Sequence, residues 1–443
     1  MTAPQLRVLL VAPMSNSSGE AITAAYIART IVERGGASCL VASPFACRLL
    51  ADTREVDIVE LTDDAARNRW LWSMTLDAWR PEIIVFADYP LLFFASGVAP
   101  IADRDGWVAS LDEIKALLVT LDHVGYAQGD ASVFFGPPHL SLQSESPPEL
   151  PQTMHVLLPC PLNEPSFVPA RRGVPFRGVD APLQVSAARI ADMRRRFLER
   201  EDELLILHSV PTWSATFAQS YGLPHYRFLP GVLDHYLSAL PAPTTVVSVN
   251  GLRLLDQPPG ARTRFVNVTR MPTNDYETLL MSSDLFITEN KVSSTLGKAV
   301  CGGIPSAVLK NTFGFRDVLE RLTGPLREAA LAMESARSGS IFPYEVFPIW
   351  ATEDLDRLGL FRTNSVTDAF CELELWGGED TQTLLCGLLT DEKARHELRT
   401  NQERYVEKIR SLPDAHDALL ALRRTPSAPV RGTNGAAAPT DSS

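Results

Sequence analysis

Three consecutive hydroxyl side chains, Ser293, Ser294 and Thr295, stand directly before Leu296, Ala299 and Val300, whose spacing predicts a helix. The unpaired amides of a helix's first turn and its dipole favour an anion, and hydroxyls add donors without bulk, so a diphosphate fits here. Gly297, one turn in, leaves room for a ligand or a neighbouring strand to approach. The plain alternative is that Ser293 only caps its helix. A second group is carboxylic. Glu20 follows Gly19 at the start of another predicted helix, where burial or a nearby anion would raise its pKa toward neutrality and make it a general base. Otherwise it only complements the helix dipole. Asp88 and the Asp122–His123 pair close apolar runs and are reserve bases, since a carboxylate beside an imidazole can also act as an orienting pair.

These side chains depend on the elements that carry them. RVLLVAP at 7–13 is continuous in β-branched residues and leucine, as in a parallel strand buried on both faces. The polar turn SNSSG at 15–19 follows, and Ala24, Ile27, Ala28 and Ile31 then recur at helical spacing up to Gly35 and Gly36. With ASCLVAS at 37–43 this makes a βαβ unit, which requires a right-handed crossover and a parallel sheet. DIVEL at 57–61, EIIVFAD at 82–88 and ALLVTLD at 116–122 are further strands, with a Trp-rich helix through Trp70, Trp72 and Trp79 between the first two. Ser15, Asp88 and Asp122 thereby fall at the carboxyl edge, where open α/β sheets bind ligands.

A second series begins with ELLILHS at 203–209, followed by helices near 214–221 and 231–240. TTVVSVN at 244–250, RFVNVTR at 264–270 and DLFIT at 284–288 are its next strands, with a helix placing Tyr276, Leu279 and Leu280 on one face before the last. His208, Ser209, Thr212 and Trp213 follow its first strand, although a tryptophan is more often core than platform. Asn311 and Thr312 follow the strand SAVLK. The expected organisation is an α/β domain over 1–155, a proline-rich seam over 156–200 and a second α/β domain over 201–415. The charged helix 391–411 reads as a surface or domain-spanning element, and 424–443, without large apolar residues, as a disordered tail.

Over 274–311 the order helix, strand, polar loop, helix, small-residue stop, proline and strand resembles the donor-binding region of GT-B glycosyltransferases. Where that family often carries His-Gly-Gly this chain has Glu289 and Asn290, and where many members carry Gly-His it has Gly19 and Glu20. The resemblance implies two facing Rossmann-like doubly wound domains with a cleft between them. It implies nucleotide-sugar contacts from Ser209, Thr212, Trp213, Met271, Glu289, Asn290, Ser293, Ser294, Thr295 and Asn311. It also implies acceptor contacts from Ser15, Asn16 and Gly19, with Glu20 as base and Asp88, Asp122 and His123 in reserve. The implied activity is transfer of a hexosyl or pentosyl group from a nucleotide-diphosphate sugar to a small, medium or peptide-like acceptor, as in bacterial specialised metabolism. Helix amides would neutralise the departing diphosphate, so neither a metal nor a further cofactor is expected. Many retaining members pair two carboxylates seven residues apart in this loop; here Leu296 stands seven residues after Glu289, so direct displacement with inversion is expected. A nucleotide-sugar epimerase of the same fold and a catalytically inactive glycosyltransferase-like auxiliary protein are the competing classes.

Composition narrows the field further. With 41 Lys and Arg against 53 Asp and Glu over 443 residues, the formal charge of −12 argues against a nucleic-acid coat or a polybasic membrane anchor. The six cysteines form no CxxC pair and the eight histidines no HExxH, so no zinc site is expected, and scattered thiols suit a reducing cytoplasm. Neither GxGxxG nor a phosphate loop GxxxxGK[ST] is present, which excludes the usual nicotinamide and P-loop enzymes. DRD at 103–105 and DLD at 354–356 mimic a metal-binding triplet, but neither closes a strand. Asp88, Pro90 and Pro100 interrupt the most membrane-like stretch, 83–101, so no transmembrane span is expected. A homodimer is compatible with this reading.

Overall fold

The computed structural model describes residues 6–14, 18–49, 56–93, 111, 113–125, 127, 150–151, 153–166, 173–220, 224–250, 252–336, 360–361 and 363–424. The first domain holds strands β1 (Arg7–Ala12), β2 (Ala37–Ala42), β3 (Asp57–Glu60), β4 (Ile83–Phe86), β5 (Leu117–Leu121), β6 (His155–Cys160) and β7 (Val174–Arg177). They pair in the order β3-β2-β1-β4-β5-β6-β7, every neighbour parallel. Helices α1 (Ser18–Glu33), α2 (Pro44–Leu49) and α3 (Ala65–Trp79) connect the early strands. The reason for the continuous apolar run in β1 is visible in its alternation. Val8, Leu10 and Ala12 pack with Ile27, Ala28 and Ile31 of α1, while Leu9 and Val11 pack on the opposite face with Trp72 and Tyr89.

The second domain opens with α4 (Ala187–Phe197), β8 (Leu204–His208), α5 (Thr212–Ser220), α6 (His225–Leu237), β9 (Thr244–Val249) and β10 (Arg264–Val268). It continues with α7 (Thr273–Ser282), β11 (Leu285–Thr288), α8 (Ser294–Cys301), β12 (Ser306–Lys310), α9 (Phe315–Arg321), α10 (Gly324–Ala336) and β13 (Cys371–Glu374). The described residues close with α11 (Glu379–Thr390), α12 (Glu392–Arg410) and α13 (Ala415–Arg424). The sheet order β10-β9-β8-β11-β12-β13, again parallel throughout, repeats that of the first sheet over six strands. In both sheets the strand order reverses beside the first strand, between β1 and β4 and between β8 and β11, and ligands of doubly wound folds bind outside the carboxyl ends at that point.

Two domain limits differ from the sequence expectation. The proposed seam 156–200 contains β6 and β7, which extend the first sheet: Val119 pairs with His155, and Leu157 with Val174. Proline disguised them. Pro175 lies in the edge strand β7, where a missing amide breaks no outer ladder. At the other end the chain returns, so 415–424 covers the first domain. Ala415, Ala418, Leu419 and Leu422 of α13 join the core around α1, with ion pairs of 2.8 Å from Arg34 to Asp417 and from Arg423 to Glu82. The charged α12 does span the seam: the Tyr405 hydroxyl donates to the carbonyl of Pro161 at 2.5 Å, and Gln402 Nε2 to that of Ile304 at 2.9 Å. The tail 425–443 and both acidic triplets lie outside the described residues. Among the described residues no helix is long and apolar enough to cross a membrane.

Candidate active site

On the second sheet, the turn after β11 is built to start a helix. The Asn290 amide donates to Thr288 Oγ1 at 3.0 Å, and Asn290 Oδ1 accepts from the Val292 amide at 2.9 Å. Ser293 Oγ then accepts from the amides of Thr295 (3.2 Å) and Leu296 (3.4 Å), so Ser293 is the cap of α8 and its hydroxyl is committed. Asn290 is buried as well and forms the turn. Ser294 and Thr295 at the start of α8 are half-buried.

A second pair of elements brings more hydroxyls to this turn. Tyr276 of α7 donates from its phenol to Ser209 Oγ at 2.7 Å, just after β8. Burial pushes the Tyr276 pKa up from 10, opposed by hydrogen bonding to Ser209 and Thr295. Ser209, Tyr276 and Thr295 therefore form one hydroxyl cluster from three elements. Tyr276 was legible only as part of an apolar helix face; its phenolic oxygen gave no periodic signal.

Beneath this surface sits a charged group. Glu289 Oε1 is 2.9 Å from His208 Nε2 and 3.4 Å from Nε2 of His225, the first residue of α6. All three side chains are buried. Burial alone would raise the Glu289 pKa, but the two histidines overcome it and hold the carboxyl at about 2. The sequence reading placed Glu289 against the donor; the structure turns its side chain inward instead, because two imidazoles, one of them without any sequence signal, receive it there.

The first domain meets α8 directly. A Cβ built on Gly19, in the first turn of α1, would lie 3.4 Å from Ser294 Oγ. A Cβ on Gly297 would collide with the Pro161 ring, so this glycine serves the contact between domains. Glu20, next to Gly19, is half-buried, and its charge acts on His123. His123 is buried, with Nε2 3.2 Å from the Ala87 carbonyl oxygen. Burial lowers its pKa, and the carboxylates of Glu20 and Asp122 oppose that. Asp122 is committed to its own loop, accepting from the amides of Val124 (3.1 Å), Gly125 (2.6 Å) and Ala127 (3.0 Å). Asp88 follows β4 and is buried.

The other predicted residues have their own contacts. Met271 packs against the second-domain core. Asn311 closes a local turn, its Nδ2 donating to the Phe313 carbonyl at 3.2 Å, while Thr312 Oγ1 donates to Glu374 at 2.6 Å. Thr212 begins α5. Ser15, Asn16 and the side chain of Trp213 lie outside the described residues. A surface cavity of about 500 Å³ lies where the chain passes between domains, lined by Arg177, Asp180, Arg189, Asn274 and Glu277 among others, and none of the candidate residues lines it. Among the described residues Asp414, His416 and Asp417 have ligand atoms within 4.8 Å of one another, and Arg34 occupies that cluster through both carboxylates.

The model of a family of unknown function (DUF6365) matches residues 27–427. No curated protein matches the chain in sequence. Solved structures of the same fold include the spinosyn rhamnosyltransferase SpnG complexed with thymidine diphosphate, at 16% identity and TM-score 0.51 over 94% of this chain and 100% of that one. The spinosyn forosaminyltransferase SpnP matches at 14% identity and TM-score 0.52, over 94% and 98% of the two chains. A Listeria monocytogenes protein assigned as a UDP-N-acetylglucosamine 2-epimerase matches at 12% identity and TM-score 0.50, over 95% of each. At these identities the likeness establishes the fold, which is the two-domain GT-B architecture.

Proposed function

The chain belongs to the family of unknown function DUF6365, and on its GT-B fold and the meeting of α1 with α8 we propose that it is a nucleotide-sugar-dependent glycosyltransferase. The observation that carries this reading is the approach of Gly19 to Ser294, which brings the amino ends of two helices from different domains to one gap. The positive end of each helix dipole, with the half-buried hydroxyl residues Ser294 and Thr295 beside it on α8, is a setting for a diphosphate. A related fold captured with thymidine diphosphate supports a nucleoside diphosphate as the ligand.

In this reading Ser294, Thr295, Tyr276 and Ser209 hold the diphosphate on the second domain, and the acceptor lies on the first. The acceptor oxygen attacks the anomeric carbon while the bond from that carbon to the diphosphate breaks. The electron pair leaves with the diphosphate, stabilised by the positive end of the α8 dipole and the hydroxyls beside it, and the acceptor's proton passes to Glu20. His123 is the imidazole on which the Glu20 charge acts. Direct displacement inverts the anomeric centre.

Thermal shift against UDP, TDP, GDP, ADP and CDP is the first test, since a ligand at 100 times its Kd adds about 2.7 kcal/mol. No shift with any of them at millimolar concentration would overturn the donor assignment. Incubation with the donor sugar alone then separates the epimerase, which yields a new sugar nucleotide without an acceptor. That second reading is favoured by one fold neighbour.

A further inference from the structure

Glu289 is held where a carboxylate is costly. It is 1% exposed, and its contacts to His208 and His225 converge on a single oxygen, Oε1. Among the described residues the other oxygen, Oε2, has no hydrogen-bond partner. The buried phenol of Tyr226 feels the Glu289 charge and interacts with the buried Ser214 hydroxyl. The grip on this carboxylate therefore comes from the two imidazoles.

Several elements meet at that grip. His208 ends β8 and reaches Ser248 of β9 through Nδ1 at 3.3 Å, His225 opens α6, and Glu289 follows β11. From Glu289 a short bonded path leads to the donor face. Asn290 accepts from Val292 through its side chain and from the Ser293 amide through its carbonyl at 3.2 Å, and Ser293 caps α8. That cap lies four residues after Glu289. His208 likewise precedes Ser209, the acceptor of the Tyr276 phenol.

We propose that Glu289, gripped by His208 and His225, is a positioning residue that sets the first turn of α8 and thereby the affinity for a nucleoside diphosphate. The inference rests on the donor reading above and adds to it the group that aligns the site from below. It is separate from the proton transfer assigned to Glu20.

The test is calorimetric titration of UDP, TDP and GDP into wild type, Glu289→Gln and Asp284→Asn. Asp284 precedes the same strand at its opposite end, where it pairs with Arg194 at 3.0 Å and accepts from the Leu205 amide at 2.8 Å, so it reports on stability alone. The expected result is a Kd raised about tenfold or more in E289Q, equivalent to about 1.4 kcal/mol, against a change within about twofold in D284N. Turnover of E289Q should show a raised donor KM with kcat largely kept. A folded E289Q with wild-type Kd, or equal changes in both variants, would overturn the positioning role. Should E289Q fail to fold, His225→Gln and His225→Ala decide: loss of affinity in H225A with recovery in H225Q, which restores an N–H for Oε1, supports the role, and unchanged affinity in both sinks it. Wild type that binds none of these three, nor ADP or CDP, overturns the donor reading, and the positioning role with it.

Discussion

Gly19 and Ser294 belong to different domains, yet a methyl group on Gly19 would stand 3.4 Å from the Ser294 hydroxyl. The distance is ordinary van der Waals contact, so the starts of α1 and α8 lie close together.

Side-chain size at Gly19 should therefore control ligand entry. Gly19→Ala is expected to keep nucleoside diphosphate affinity within about threefold, while Gly19→Phe fills the gap and weakens it by about tenfold or more. Calorimetry on both folded variants checks this; equal affinity in G19F would mean that the ligand does not use this gap.

Gly297 tests the seam itself. An alanine within a helix normally gains up to about 1 kcal/mol over glycine, but here the new methyl meets the rigid ring of Pro161. Overpacking of this kind costs about 1–3 kcal/mol. Gly297→Ala should thus lower stability in chemical denaturation, and a stabilised variant would show that the domains separate easily there.

Glu20→Gln keeps the shape of the side chain and removes its basicity. A positioned general base is worth about 10²–10⁴-fold in rate, so kcat should fall by that range with nucleoside diphosphate Kd unchanged. Full turnover in E20Q would move the base elsewhere in the first domain.

Tyr276→Phe deletes the hydroxyl that bonds Ser209 at 2.7 Å. Net loss of one such bond costs about 1 kcal/mol of stability, and the nucleoside diphosphate should bind more weakly as the hydroxyl cluster loosens. A denaturation curve and a titration measure the two effects; wild-type values in both would remove Tyr276 from the site.

Glu289 gives the acid limb of stability a definite shape. Its folded pKa of about 2 lies below its ordinary value of 4.5, so the stabilisation is fully present above about 4.5 and is lost as pH falls toward 2. Wild type should lose stability through that window more steeply than E289Q. Parallel curves would mean that the carboxylate is not held ionised.

The opening βαβ unit was readable because a parallel strand covered on both faces must be apolar throughout, and Val8 to Ala12 are. The same holds for β8 and β11. Strands β6 and β7 were hidden because proline broke the run, and β13, CELE, because two of its four residues are glutamates that pair with Lys310 at a sheet edge. Ser293 was legible as a cap from its position alone. Glu289 was legible as a departure from the family's pattern, but its inward direction was not, since His225 lies 64 residues away in sequence.

What the chain's order of residues determined was local: which segments extend, which coil, where helices begin, and hence that hydroxyls and carboxylates fall at carboxyl edges of two parallel sheets. Periodicity and capping act over a few residues, so they are written in the sequence. Which of those groups meet was decided by the tertiary structure. The pairing of strands set Ser209 beside Tyr276 and sank Glu289 between two histidines, and the packing of one domain on the other brought Gly19 to Ser294. Contacts between residues far apart in the chain depend on how whole layers stack, a property that no short window of sequence contains.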